Sequence, residues 1–537
     1  MGSCRGPTVG QGEGGKGEGQ DAAGVALAAA EARILASAGP GGAPVQSRQL
    51  ACGLPGEPGA VRINYVVVGG EEGIAGAKPA CVLVHGFGCG VGTWAANYAA
   101  LSRDFVVYGI DLTGFGRSAR PAFVARSAGP EAAEDYFVRP IELWRQAMCC
   151  GGHRQLECPV WVGHSLGGYV LSCYALRFPS RVERLVLVDP WGIQAATDQD
   201  EAKVPRVLRS LVSALPSPLS PVRWLDRAGL GRTALRRAKY TQYQRWQRAC
   251  QDAQRLAAAR QRTDADDEAH GGSEEAARHA GIANSAVGHV GDALPARSST
   301  AGGELVPCSS ASDTGATSQP SHWRWCMELV KSLAFGAPAH RHDAAGRCGA
   351  GEDAGAAEQG DYVSEYMYCL AAVPAFGGDH AFKTLCRNGF FHYAAHPKET
   401  LLAAAFGPGG ALSHATLDLI YGQDTWVDIE VGKRLAAGLG RARCSLLVLP
   451  NAGHHVYLDQ ARVFNAQLVA LLTERRQCAL AATPPLEPAV VEAGGERDVA
   501  GGATKKNVVI KKTRRALPLH IARSPPDGEA NAVQAGR

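Results

Sequence analysis

Between residues 61 and 188, short strand-like runs alternate with helix-like segments, and this alternation limits the fold more than any other feature. The runs are 61–68 (VRINYVVV), 80–84 (ACVLV), 105–111 (FVVYGID), 159–163 and 182–188 (VERLVLV); helix-like stretches lie at 92–102, 134–149 and 166–178. An antiparallel sheet with one wet face would alternate apolar and polar residues along each strand. The later strands here are apolar throughout, which predicts a mostly parallel sheet covered by helices on both faces. Two further runs, LDLIYG at 417–422 and CSLLVLP at 444–450, and a closing helix at 461–476 resume the same pattern much later.

What separates the two halves is of different character. Residues 1–60 are rich in glycine and alanine, with one helix expected near 21–37. The core would occupy 61–195 and 413–479, with a basic helical cap at 196–262 and its second part at 361–412. Within the cap, 263–360 collapses into Ala, Gly, Ser, Asp and His with little periodicity, as expected of a disordered insertion; one island at 322–335 could form a short amphipathic helix. The tail, 480–537, carries a basic cluster around Lys505 to Arg515 and is expected to be disordered.

Composition narrows the function classes. A net charge of +4 is too mild to call for a nucleic-acid partner. The 16 cysteines lack metal-like or framework spacing, so neither a metal nor a cofactor is expected, and free thiols suit a reducing, cytoplasmic setting. No secretory h-region and no run of about 20 apolar residues is present, so neither secretion nor a membrane span is expected. The opening Met-Gly-Ser-Cys suggests acylation, but the myristoylation pattern wants Ser or Thr at position 6, where Gly6 stands.

The chemistry is concentrated in WVGHSLGGYV, where an apolar strand stops at Gly163-His164-Ser165-Leu166-Gly167 and a helix begins. In a G-x-S-x-G elbow the serine stands on a strained turn above the sheet edge, and the glycines let two backbones pass closely. Such a serine needs a base, an orienting acid and an oxyanion site. In α/β-hydrolase chain order these are Ser, then Asp or Glu, then His. LDLIYG runs into Gln423-Asp424 and on to Asp428; LLVLPNAG runs into His454-His455. The expected triad is Ser165, Asp424 and His454. Asp428 is the competing acid, whose structural role would be to cap a helix from Ile429, and His455 is the competing base. The strand ending VLVHGFGCG would aim the backbone N–H of Phe87 at the elbow, paired with that of Leu166 as the oxyanion hole, while His85 would be an internal hydrogen-bonding residue.

HGFGCGVGTWAANYAALS, DLTGFGRSARP, YFVRPIELWRQAM, GHSLGGYV, VDPWGI and YGQDTW together resemble the lipid-metabolising α/β-hydrolase-domain subfamily. Its members include a coactivator of the lipid-droplet triacylglycerol lipase, a lysophospholipase acting on N-acylphosphatidylethanolamine, and plant lipid-homeostasis proteins. The resemblance implies an α/β-hydrolase fold with a helical cap. It also implies a serine-dependent ester hydrolase or lysophosphatidate acyltransferase acting on phospholipids or other lipid esters. In the coactivator branch asparagine replaces the elbow serine; Ser165 is kept here. The subfamily's H-x-x-x-x-D motif, linked to acyl transfer, matches His454 to Asp459. The coactivator's Trp-rich N-terminal droplet anchor has no counterpart. The alternative is a non-catalytic regulator of a triacylglycerol lipase at lipid droplets. Under either, the expected partners are a lipid ester and, peripherally, an anionic membrane or droplet surface met by the arginine-rich cap.

Overall fold

The computed structural model describes residues 18–53, 60–70, 78–123, 129–195, 210, 214, 220–227, 229–280, 361–373, 376–389, 391 and 393–482. The chain forms two units, Met1–Cys478 and Ala479–Arg537. Every element below lies in the first, apart from the end of the final helix. The 322–335 island lies outside the described residues, as does the tail from 483.

An eight-stranded sheet runs in the order β1–β2–β4–β3–β5–β6–β7–β8. Its strands are β1 Ser47–Cys52, β2 Val61–Val68, β3 Ala80–Val84, β4 Val106–Ile110, β5 Val160–His164, β6 Arg184–Val188, β7 Thr416–Gly422 and β8 Cys444–Leu449. From β4 through β8 all pairings are parallel; the β1–β2 and β2–β4 pairings are antiparallel. This is the α/β-hydrolase fold expected from the sequence. β1 is an element the sequence hid. Its SRQLAC stretch was expected to be low-complexity chain, but it pairs along its whole length with β2 at the sheet edge, mostly in contact with water. An edge strand needs no apolar face of its own.

Side-chain alternation explains why the central strands read as solid apolar runs. Val82 and Val84 of β3 enter one core, Cys81 and Leu83 the other; on β6, Leu185 and Leu187 oppose Val186 and Val188. Each such side chain contributes about 1.5–3 kcal/mol by leaving water. The helices are α1 Glu18–Leu35, α2 Tyr98–Leu101, α3 Pro130–Cys150, α4 Leu166–Arg177, α5 Ser220–Arg227, α6 Gly231–Ala280, α7 Tyr362–Ala372, α8 Phe376–Leu385, α9 Glu399–Phe406, α10 Ile429–Leu439, α11 Val456–Asp459 and α12 Ala461–Ala482. Helices α3, α4, α8, α9 and α10 cover the first core; α1, α6, α7, α11 and α12 cover the second.

Helices α5 to α9 lie in sequence between β6 and β7, where the cap was expected. α6 continues to Ala280, well into the stretch read as an insertion, while 281–360 lies outside the described residues. No helix among the described residues is long and apolar enough to cross a membrane.

Candidate active site

Ser165 sits between β5 and α4 with φ +52° and ψ −117°, a left-handed conformation that costs a non-glycine residue of order 1–3 kcal/mol. The neighbouring glycines are obligatory. A Cβ on Gly163 would lie 2.6 Å from the carbonyl oxygen of Gly167, and one on Gly167 would lie 2.5 Å from that of Val84. The elbow is also stapled to the end of β6. The N–H of Ser165 donates to Val188 O (3.1 Å), and that of Trp191 donates back to Ser165 O (3.2 Å).

His454, in the loop after β8, places Nε2 2.9 Å from Ser165 Oγ. The loop is anchored near the imidazole from several sides. His164 Nε2 meets the carbonyl oxygen of His454 at 2.9 Å, the Gly453 N–H donates to Asp459 Oδ2 (2.9 Å), and Trp426 packs its ring 4.8 Å from the imidazole. His455 points elsewhere, packed between the rings of Trp246 (4.6 Å) and His164 (4.9 Å).

The carboxylate facing the histidine is Asp189, not Asp424. Asp189 Oδ2 lies 3.6 Å from His454 Nδ1, just beyond hydrogen-bond distance, and neither atom has a hydrogen-bond partner. Catalytic hydrogen bonds are often this long before substrate arrives. Asp189 is fully buried at the end of β6, with φ +47°. Its N–H donates to Ile420 O (2.7 Å), and its Oδ1 accepts from Thr425 Oγ1 (2.9 Å). Asp424 is exposed, and its backbone N–H donates to Ala452 O. Asp428 caps α10, accepting from the Glu430 N–H (3.0 Å). From the β7 loop, therefore, comes a hydroxyl bonded to Asp189 rather than a carboxylate facing His454.

Burial sets the protonation states. It holds the His454 imidazole down at about 3, an effect Lys239 adds to and the Asp459 carboxylate opposes, so the ring is neutral and ready to accept a proton. The Asp189 carboxyl is pushed up by burial, against the Thr425 hydroxyl and a Gly422 backbone N–H.

On the opposite side, Gly86 brings the β3 loop onto the elbow so tightly that a Cβ there would lie 2.8 Å from His164 Nδ1. Phe87 follows, its ring stacked on Phe382 of α8 at 4.3 Å. Because α4 begins at Leu166, its first N–H groups have no partner within the helix. His85 is internal: Nδ1 meets Gly86 O at 2.7 Å and Nε2 accepts from the Leu112 N–H.

Residues 81–274 match the alpha/beta hydrolase family. Over 155 residues it is 43% identical to the 1-acylglycerol-3-phosphate O-acyltransferase ABHD5 of Rattus norvegicus, covering 28% of this chain and 41% of the relative. Over 149 residues it is 41% identical to the (lyso)-N-acylphosphatidylethanolamine lipase of Mus musculus, again covering 28% and 41%. The chain thus spans about two fifths of the length of the curated relatives it matches. Among solved structures, the carboxylesterase CesB of Bacillus subtilis is 12% identical with a TM-score of 0.41, covering 84% of this chain and 98% of that one.

Asp189 carried a signal that sequence reasoning passed over. VDPWG closes an apolar strand at the same sheet edge as Ser165, and chain order Ser–Asp–His holds for it as well as for Asp424.

Proposed function

We propose that this α/β hydrolase is a serine-dependent lipid-ester hydrolase, with Ser165 as nucleophile, His454 as general base and Asp189 as the orienting acid. The observation that carries the reading is the 2.9 Å contact between His454 Nε2 and Ser165 Oγ on a left-handed elbow. His454 takes the Oγ proton as oxygen attacks the ester carbonyl. The backbone N–H groups of Phe87 and Leu166 receive the oxyanion. The intermediate collapses as His454 returns the proton to the leaving alcohol, and water then hydrolyses the acyl-serine by the same relay. A lysophosphatidate hydroxyl in place of that water would turn hydrolysis into acyl transfer. Asp189 keeps the Nδ1–H tautomer and balances the imidazolium.

Two observations favour lipid over small polar esters. Phe87, Phe382, Trp191 and Phe391 form a continuous aromatic wall beside the elbow, suited to an acyl chain. The matched relatives are, by name, an acylglycerophosphate acyltransferase and a phospholipid lipase. The end of α5 and the turn into α6 expose Trp224 and Leu230, with Arg227 beside them, a composition suited to the surface of an anionic bilayer or droplet. Arg223 and Arg236 serve the cap itself: the first donates to Ala371 O and pairs with Asp379, and the second lies 3.6 Å from Asp361.

Fluorophosphonate labelling of wild type against Ser165→Ala tests the chemistry. The wild type should label and turn over a short acyl ester; the variant should lose about 10⁴-fold or more. Equal turnover by the two proteins would end the enzyme reading.

A further inference from the structure

Asp459 closes the H-x-x-x-x-D stretch, and its surroundings assign it a task other than chemistry. Its side chain is 4% exposed. Oδ2 accepts the Gly453 N–H at 2.9 Å, and Oδ1 accepts the indole N–H of Trp246 at 2.8 Å. Gly453 immediately precedes His454, whereas Trp246 lies on the cap helix α6 and is itself 1% exposed. The Trp246 ring also packs 4.6 Å from His455. One carboxylate thus joins the backbone beside the catalytic imidazole to the cap. Arg245, also on α6, places its Nη1 4.0 Å from the same Oδ1.

We propose that Asp459 is a positioning residue, latching the His454 loop to cap helix α6 through Trp246. This rests on the serine reading above and deepens it, because it makes the register of the catalytic histidine depend on the seating of the cap. A carboxylate holding two N–H groups from separate elements fixes the distance between them. Without it the Gly453 amide and the Trp246 indole are both left without an acceptor, and the loop is free to shift. Displacing a general base by about 1 Å costs up to about 100-fold in rate. A lipid surface that lifts or turns α6 would therefore reach Ser165 through this bond rather than through the substrate.

Trp246→Phe keeps a ring against His455 and removes only the N–H; Asp459→Asn keeps one acceptor and turns a donor toward the other N–H. Hydrogen exchange should show the 450–458 segment opening about tenfold faster in both variants, with β5 and β6 unchanged. The rate of fluorophosphonate labelling and kcat on a short soluble ester should fall about 10- to 100-fold while KM holds, because binding does not use the latch. Wild-type exchange of the 450–458 segment in both variants would overturn the latch, whatever the labelling shows. An unlabelled wild type would instead sink the serine mechanism, leaving the exchange measurement to decide the latch alone. If Asp459→Asn lost transfer to lysophosphatidate while hydrolysis, labelling and exchange stayed intact, the aspartate would act on the acceptor and the proposal would fail. Should Trp246→Phe not fold, Asp459→Asn carries the same measurements.

Discussion

The ends of β6 and β7 lie side by side on the sheet, and each offers an aspartate to the histidine arriving from β8. They are built for different work. At the end of β6, Asp189 is buried, held in a left-handed turn, tied by its own N–H to β7, and supported on one oxygen by Thr425. At the end of β7, Asp424 stands in water and Asp428 spends its carboxylate on the first turn of α10. Proximity in sequence to a catalytic strand end is thus a weak criterion. A carboxylate orients an imidazole only where its surroundings immobilise it and exclude the water that would otherwise satisfy both groups.

The comparison can be broken most sharply at Asp189. Asp189→Asn should leave the fold in place and cost about 10⁴-fold in kcat through the wrong imidazole tautomer. A variant retaining wild-type turnover would return the acid role to the β7 loop. Next comes pH. Because burial holds His454 at about 3, the base stays neutral below the usual imidazole range, and kcat/KM should persist as pH falls from about 7 to about 5. Stability has the opposite tendency. The unfolded imidazole takes up a proton below about 6.5 that the folded one refuses until about 3, so this residue lowers stability as pH drops through that window. Rates must therefore be read alongside a melting curve; an acid limb near 6.5 with the fold intact would show a solvated imidazole.

Smaller effects sharpen the contrast. Thr425→Val removes the hydroxyl that donates to Asp189 Oδ1 and should cost about 1 kcal/mol of stability, together with a rate loss well short of that of Asp189→Asn. Asp428→Ala should lower stability by about 1 kcal/mol and leave turnover alone, as the loss of a helix cap does. Asp424→Asn should be silent in both, within about 0.5 kcal/mol, as for most exposed sites. A large rate loss at Asp424 would invert the comparison.

What could be read in advance follows the range over which each signal acts. β3, β5 and β6 were legible because burial on both faces leaves nothing but apolar residues, and Ser165 because its strain demands glycines two residues away on either side. The placement of His454 beside Ser165 follows the same local logic of strand, glycine, histidine. Asp189 was not, because Asp-Pro-Trp-Gly reads equally well as an ordinary turn, and only the approach of His454 from 265 residues further on gives it a partner. β1 escaped because a polar edge strand has no periodicity to betray it. The bond from Trp246 to Asp459 is beyond any local pattern, since it exists only once the cap has docked.

The staple between the elbow and the end of β6 has a practical consequence. Ser165 and Asp189 share one continuous piece of hydrogen-bonded backbone, whereas His454 belongs to chain that follows the 281–360 stretch. Under the proposed mechanism, a cut anywhere in that stretch would leave nucleophile and acid on one polypeptide and the base on another. Neither piece alone could complete a turnover, and ester cleavage would appear only when the two met. On that mechanism the divided chain would act as a two-part reporter, its catalytic signal measuring the association of its halves.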